Sequence, residues 1–179
     1  MKALGWTVFG TPIGNCALAW GARGITGAWL PGECELSLRS CVARRLPGMP
    51  EQEPTPEVLA VVDRIVGLLN GASDALQDVA LDFEGIPRFH QRVYEAARAI
   101  LPGRTITYLQ LAQQLQAPGA ARAVGQALGR NPFPILVPCH RVLASGGKAG
   151  GFSAPGGVVT KYKLLDIEGA LRQGQPQLF

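Results

Sequence analysis

The chain has 179 residues, of which 47% are hydrophobic and 17% are charged. This apolar content excludes a disordered chain and suffices for one ordinary domain or two small ones. The sequence shows neither the apolar run of a secretory signal nor the roughly 20 apolar residues of a membrane span, so we expect a cytoplasmic protein without a membrane partner. The four cysteines and two histidines lack the close spacing of a zinc site, which predicts free thiols and no bound metal.

The charge is unevenly distributed along the chain, whose net charge is +4. Residues 1–85 hold six basic and ten acidic side chains, whereas residues 86–179 hold eleven basic and three acidic ones. A strongly basic half indicates contact with a polyanion such as nucleic acid. A solvated basic surface without a partner explains the charge equally well, so charge alone leaves both possibilities open.

Residues 1–85 predict a small α/β domain with a mixed sheet and helices. Strand-like runs cover 6–9, 16–20, 25–30 and 79–83, with turn chemistry over 11–15. Helical periodicity covers 35–46 and 57–70. Cys16, Cys34 and Cys41 are expected to be small packing residues, since cysteine is among the most buried residue types. No catalytic constellation is visible in this half.

Residues 86–170 predict a second, mainly helical domain, and residues 171–179 a frayed tail. An amphipathic helix is expected over 89–101, and Thr107 is expected to cap a helix over 108–115. A second short helix over 120–129 follows a break at 117–119, a pattern that resembles a helix-turn-helix. Its small residues around Arg122 suit close approach to a DNA minor groove. A buried alanine-rich helix with a solvated arginine is the simpler alternative.

The segment 131–142 is an apolar run spaced by prolines that ends in Cys139, His140 and Arg141. Proline fixes the backbone, and a neighbouring histidine or arginine favours the thiolate form that makes cysteine a nucleophile. Neighbours in sequence usually point to different sides, so the pair alone leaves a nucleophilic and a structural cysteine both open.

The sequence Pro138-Cys-His-Arg-Val142 resembles the active-site signature of the O6-alkylguanine-DNA alkyltransferases, also called methylated-DNA–protein-cysteine methyltransferases. The resemblance extends, in chain order, over Thr107-Tyr108, 121–125, Asn131-Pro132, 134–136, 150–153 and 161–169. Such an ordered set of motifs is far more specific than any single motif. It implies an α+β protein in which the N-terminal α/β domain precedes a winged helix-turn-helix domain that carries the acceptor cysteine.

The resemblance also implies roles for individual residues. Cys139 is the alkyl acceptor, and His140 with Glu168 deprotonates it through a water. Asn131 fixes the turn before the active-site loop, Tyr108 rotates the nucleotide and protonates the leaving guanine, and Arg122 fills the vacated stack. The other expected DNA-binding residues are Ala121, Ala123, Gly125, Arg130 and Arg141. The expected pocket residues are Phe152, Ser153, Val142, Leu128, Ala149 and Lys161.

The function so implied is stoichiometric and irreversible repair. An alkyl group on guanine O6, and also on thymine O4, passes from double-stranded DNA to Cys139 after the nucleotide has been flipped out through the minor groove. The reaction needs no cofactor or metal, and we expect a monomer, with cooperative binding on DNA left open. Phe152 stands where many family members have tyrosine, and residues 153–157 resemble a longer bacterial loop, so the accepted alkyl size stays open.

Three other functions remain as alternatives. Alkyltransferase-like proteins bind damaged DNA without catalysis, but they replace the acceptor cysteine, usually by tryptophan, and Cys139 argues against that class. A helix-turn-helix regulator would not depend on Cys139. A cysteine hydrolase would turn over repeatedly.

Overall fold

A computed structural model describes residues 3–172 of the chain. The first half contains a three-stranded antiparallel sheet of β1 (Ala3–Phe9), β2 (Cys16–Gly21) and β3 (Gly24–Trp29), in that order. Parallel pairing occurs at both sheet edges, but only as the isolated bridges Trp6–Glu51 and Ile25–Leu81. The expected mixed sheet is therefore antiparallel in its strands and parallel only at these bridges.

The predicted strand over 79–83 was wrong, because only Leu81 forms a bridge there. The backbone of Ile25 pairs with Ala80 and Asp82, but the Asp82 carboxylate then accepts a hydrogen bond of 2.9 Å from the amide of Glu84. This local bond turns the chain away from the sheet edge before a strand can develop.

Two helices follow the sheet in this half, α1 (Glu35–Arg45) and α2 (Pro56–Leu69). The hydroxyl of Thr55 accepts a hydrogen bond from the amide of Val58, and Pro56 stands in the first turn, so α2 begins where its sequence predicts. Both helices agree with the predicted ranges to within one residue. The packing role expected of Cys16 is confirmed by its burial.

The packing role expected of the two other early cysteines was wrong. Cys34 is exposed and Cys41 only half-buried. Cys34 is the residue that precedes α1, where the backbone still faces solvent and pairs with the Ser37 hydroxyl. A capping position of this kind offers a cysteine no apolar neighbours to pack against.

The second half is mainly helical. It contains α3 (Arg88–Arg98), β4 (Ile106–Thr107), α4 (Tyr108–Gln114), α5 (Ala121–Gly129), β5 (Val142–Leu143) and α6 (Gly157–Ile167). Strands β4 and β5 pair in parallel, and a short 3-10 turn, Pro118–Ala120, separates α4 from α5. Thr107 caps α4 as predicted, because its hydroxyl accepts from the Gln110 amide while the Gln110 side chain accepts from the Thr107 amide. The α+β class and the helix pair are thus confirmed.

One cluster of buried apolar side chains continues from the first half into the second. It joins Leu18 and Ile25 of the sheet to Val93 of α3 and to Phe133. The opposite face of the sheet packs on α1 in a smaller cluster that includes Val42. The division near residue 85 therefore stays a prediction. No described helix is long and apolar enough to span a bilayer. Of the frayed tail expected over 171–179, the first two residues belong to a 3-10 turn, Ala170–Arg172, and the others lie outside the described residues.

Candidate active site

Cys139 begins a short 3-10 turn, Cys139–Arg141, directly after Pro138. The side chain of Asn131 holds this turn in place. Its amide nitrogen lies 2.9 Å from the carbonyl oxygen of Val137 and 3.4 Å from the Sγ of Cys139, and its amide oxygen accepts from the backbone of Phe133 at 2.9 Å. Asn131 thus closes the loop between α5 and the cysteine at both ends and touches the reacting atom.

His140 and Arg141 converge on Glu168, which follows α6 directly. Nε2 of His140 lies 2.9 Å from Oε1 of Glu168, and the Arg141 guanidinium contacts both carboxylate oxygens at 2.8 and 2.9 Å. The remaining arginine nitrogen, Nη1, donates to the carbonyl oxygen of Ile100. Arg141 is only 1% exposed. The expectation that Arg141 binds DNA was wrong, because its side chain is buried and its charge is paired with Glu168 inside the protein.

The charge state of this cluster follows from its partners. Burial alone would raise the pKa of Glu168, but the hydrogen bonds from His140 and Arg141 outweigh it and hold that pKa at about 2. Glu168 is therefore ionised, so the Nε2 atom of His140 carries the hydrogen that it shares with Glu168. The basic lone pair then lies on Nδ1, which has no hydrogen-bond partner among the described residues.

The two reactive groups stay neutral at rest. Burial lowers the pKa of His140 despite the stabilising carboxylate, so the imidazole is a neutral base. Burial also raises the pKa of the Cys139 thiol, against the opposing effects of the Asn131 hydrogen bond and the Lys161 charge. The cysteine is thus a thiol that needs a base to become a nucleophile.

A cavity of about 760 Å³ opens over Cys139. The predicted residues that line it are Tyr108, Ala121, Arg122, Gly125, Leu128, Phe152 and Ser153. Arg122 is exposed on α5, so one side of the cavity reaches solvent beside a positive charge. A second cavity of about 870 Å³ shares Cys139, Phe152 and Ser153 and extends past Arg130 toward β3 and α1. Arg130 therefore lies on a different side of the cysteine from Arg122.

Lys161 is completely buried behind the first cavity. Its Nζ donates to the carbonyl oxygen of Val142 at 2.7 Å and to that of Ala149 at 2.5 Å. The ammonium also lies 5.8 Å from the ring centre of Tyr108 and 6.0 Å from that of Phe152. Lys161, Val142 and Ala149 were expected to line the pocket. In the structure these residues lie behind the side chains that line the cavity. The Lys161 ammonium links β5 to the loop before α6.

Tyr108, the first residue of α4, lies in the cavity with Cys139. Burial raises the pKa of its hydroxyl, and the nearby thiol adds to this effect, so Tyr108 keeps its proton and can donate it. Gly150 has a φ of +61°, and a Cβ there would lie 3.2 Å from the Tyr108 hydroxyl. The loop can approach the tyrosine this closely only because residue 150 is glycine.

Tyr94 of α3 is not among the residues predicted from the sequence. It is buried, and its hydroxyl donates to the carbonyl oxygen of Ala127 in α5. Its position on the apolar side of an amphipathic helix was the available signal, and it indicates packing only. Among residues 3–172, no group of three or more His, Cys, Asp or Glu side chains is arranged to hold a metal ion.

Comparisons with known proteins agree with this geometry. A family model described as "6-O-methylguanine DNA methyltransferase, DNA binding domain" matches residues 88–170. A methylated-DNA–protein-cysteine methyltransferase of Methanothermobacter thermautotrophicus is 34% identical over 165 residues, which cover 92% of this chain and 85% of the relative.

Two solved structures share the fold over nearly the whole chain. The Mycobacterium tuberculosis OGT in complex with DNA has a TM-score of 0.70 and 33% identity, with 91% of each chain covered. The O6-methylguanine-DNA methyltransferase of Pyrococcus kodakaraensis has a TM-score of 0.71 and 28% identity, with 92% of this chain and 99% of that one covered. With the cysteine, its charged partners and the helix pair in place, the chain belongs to the methylated-DNA–protein-cysteine methyltransferase family.

Proposed function

We propose that this protein repairs DNA by moving the alkyl group of O6-alkylguanine onto its own Cys139, once per molecule. The observation that carries the proposal is the position of Cys139. Its thiol lies in a cavity shared with Tyr108 and Arg122, while the next residue, His140, is paired with the buried carboxylate of Glu168. A nucleophile, an acid and a positive charge thus line one opening, and a buried base follows the nucleophile directly in the chain.

The chemistry requires one proton transfer and one displacement. The Cys139 proton passes toward Nδ1 of His140, whose conjugate acid the Glu168 carboxylate stabilises. Sγ then attacks the alkyl carbon, the bond from that carbon to guanine O6 breaks, and an S–C thioether forms. The departing guanine retains the electron pair of the broken bond and takes a proton from Tyr108. The proton held by His140 then returns through solvent to the tyrosinate, so Tyr108 and His140 end neutral and the proton lost by the thiol equals the one gained by guanine.

The reaction is irreversible because a thioether has no leaving group that the site could displace. Each molecule therefore acts once, and the protein is consumed as a reactant. The same displacement applies to O4-alkylthymine, whose alkyl group is bound to an equivalent exocyclic oxygen, and we include it in the proposed substrate class. We propose that the protein acts as a monomer.

The DNA side of the proposal rests on α5. O6 lies inside a duplex, so the nucleotide must be flipped out at a cost of about a few kcal/mol. Residues Ala121, Ala123 and Gly125 of α5 have small side chains that let the helix approach a narrow groove. Arg122 projects from it as an exposed cation that can enter the base stack. We propose a minor-groove approach in which Arg122 offsets the loss of stacking.

Intact-mass spectrometry after incubation with a duplex containing one O6-methylguanine tests the proposal. We expect a gain of one CH2 per chain, mapped to Cys139 by peptide analysis and absent in Cys139→Ser. The gain should stop at one equivalent with excess DNA. Unchanged mass with retained binding to the lesion would overturn the proposal in favour of a damage binder, and more than one equivalent of repaired DNA would indicate a hydrolase.

A further inference from the structure

Tyr94 is a buried tyrosine for which the alkyl-transfer chemistry above has no use. It is 1% exposed, and its hydroxyl donates a hydrogen bond of 2.9 Å to the carbonyl oxygen of Ala127. Burying a hydroxyl costs free energy unless the hydroxyl is bonded, so phenylalanine would fill the same space with less demand on its surroundings. The additional effect of the hydroxyl is to hold the carbonyl group of Ala127 in a fixed position.

That carbonyl lies where α5 ends and the active-site loop begins. The Ala127 oxygen also accepts from the backbone amide of Arg130 at 3.0 Å, and the amide of Asn131 donates to the Leu128 oxygen at 3.2 Å. The last turn of α5 is thus held from α3 at the point where it delivers Asn131. Burial raises the pKa of Tyr94 to about 12, so the hydroxyl remains a donor at every working pH.

The ring of Tyr94 approaches the same turn from its other end. It lies 6.4 Å from the ring of Phe83, which packs edge-on against Phe133 at 5.8 Å. The amide of Phe133 donates to the side-chain oxygen of Asn131. One tyrosine therefore reaches both sides of the 127–133 turn, through its hydroxyl on one side and through the contact of its ring with Phe83 and Phe133 on the other.

From this geometry we infer that Tyr94 is a positioning residue for alkyl transfer, which acts through Asn131 by fixing the turn that places the Asn131 amide on the Cys139 sulfur. The inference rests on the proposed function. The Asn131 contact opposes the effect of burial on the thiol pKa. A looser turn therefore leaves less thiolate, while the DNA-facing surface of α5 is unchanged.

The test is the single-turnover rate of methyl transfer at saturating DNA for Tyr94→Phe. We expect the rate to fall about tenfold, which corresponds to losing the free energy of one hydrogen bond in the transition state. The Kd for DNA should stay within twofold of the wild-type value. Tyr162→Phe is the matched control, because Tyr162 is half-buried on α6 and its hydroxyl contacts no other described residue through a hydrogen bond. Alkylation of Cys139 by iodoacetamide, which needs no DNA, should slow in parallel in Tyr94→Phe.

A double-mutant cycle separates positioning from simple packing. In an Asn131→Ala background, Tyr94→Phe should change the rate less than twofold, because the group through which it acts is gone. If the effects of the two substitutions on the rate multiply in the double mutant, the inference is overturned. It is also overturned if Tyr94→Phe has a lower Tm with an unchanged methyl-transfer rate. A wild-type protein that gains no methyl group would instead overturn the proposed function, and the iodoacetamide rates would then decide on Tyr94 independently.

Discussion

Glu168 is the hydrogen-bond partner of two buried side chains, so its replacement should lower the free energy of unfolding as well as the activity. In Glu168→Gln the Arg141 guanidinium stays 1% exposed without a counter-charge. Leaving such a charge unpaired costs about 3 kcal/mol, which urea denaturation would measure. Glu95→Gln, at an exposed position of α3, is the control and should change the free energy of unfolding little. A loss below about 1 kcal/mol in Glu168→Gln would mean that Arg141 finds water or another partner.

The pKa of the Glu168 carboxylate predicts how the free energy of unfolding depends on pH. Its pKa is lowered from 4.5 to about 2 on folding, so its contribution is fully present above pH 4.5 and is lost as the pH falls toward 2. The wild type should therefore lose more unfolding free energy over this interval than Glu168→Gln does. Parallel pH curves for the two proteins, from denaturant titrations, would contradict the assigned pKa.

The rate of alkyl transfer should be insensitive to mild acid. Burial lowers the pKa of His140 from 6.5, so the base remains neutral down to that pH and protonates only below it. At saturating DNA we expect a constant single-turnover rate between pH 7 and 6.5 and a decline at lower pH, whereas above pH 7 the rate also follows Lys161, whose pKa burial lowers to about 8. A half-maximal rate at or above pH 7 would show that another group controls the proton transfer. DNA affinity measured at each pH separates binding from chemistry.

Lys161 of α6 connects two elements of the site, and its loss should disconnect them. Lys161→Met keeps an unbranched side chain of similar length but leaves the carbonyl oxygens of Val142 and Ala149 without their donor. Each buried acceptor left unpaired costs about 1–3 kcal/mol, so we expect a clear fall in Tm and slower methyl transfer. Lys163→Met, two residues away and exposed, is the matched control. Equal Tm values for the two variants would contradict the supporting role of Lys161.

The elements that the sequence predicted well are those whose signals are local. Thr107 caps its helix as predicted, and the apolar spacing of α2 predicts its buried face. The predicted strand around Leu81 failed because the competing hydrogen bond from the Glu84 amide to the Asp82 carboxylate is not visible in an alternating pattern. Tyr94 was missed because its hydrogen-bond partner, Ala127, lies 33 residues away in the sequence.

The site as a whole depends on contacts that no local pattern predicts. Glu168 lies 28 residues from His140, and only the fold of α6 brings them to 2.9 Å. The resemblance to known alkyltransferases supplied that pairing, whereas spacing could not. It also placed Arg141 on DNA, where the structure instead shows a buried ion pair. Sequence motifs thus gave the reacting groups that we propose, and burial together with hydrogen bonding sets their charges.

At the scale of the molecule, the charge asymmetry predicts how the protein meets DNA. The basic half should bind the duplex through phosphates, so affinity should fall as salt rises, with a log–log slope that counts the phosphates neutralised. Arg122→Ala removes one exposed cation, which stands between the strands in the proposed complex and neutralises no more than one phosphate, so the slope should fall by at most about 1. Arg44→Ala removes an equally exposed cation from α1, in the acidic half, and should leave the slope unchanged. Equal slopes for the two variants, measured by fluorescence anisotropy over a salt series, would place the DNA contact across both halves of the chain rather than on the second alone.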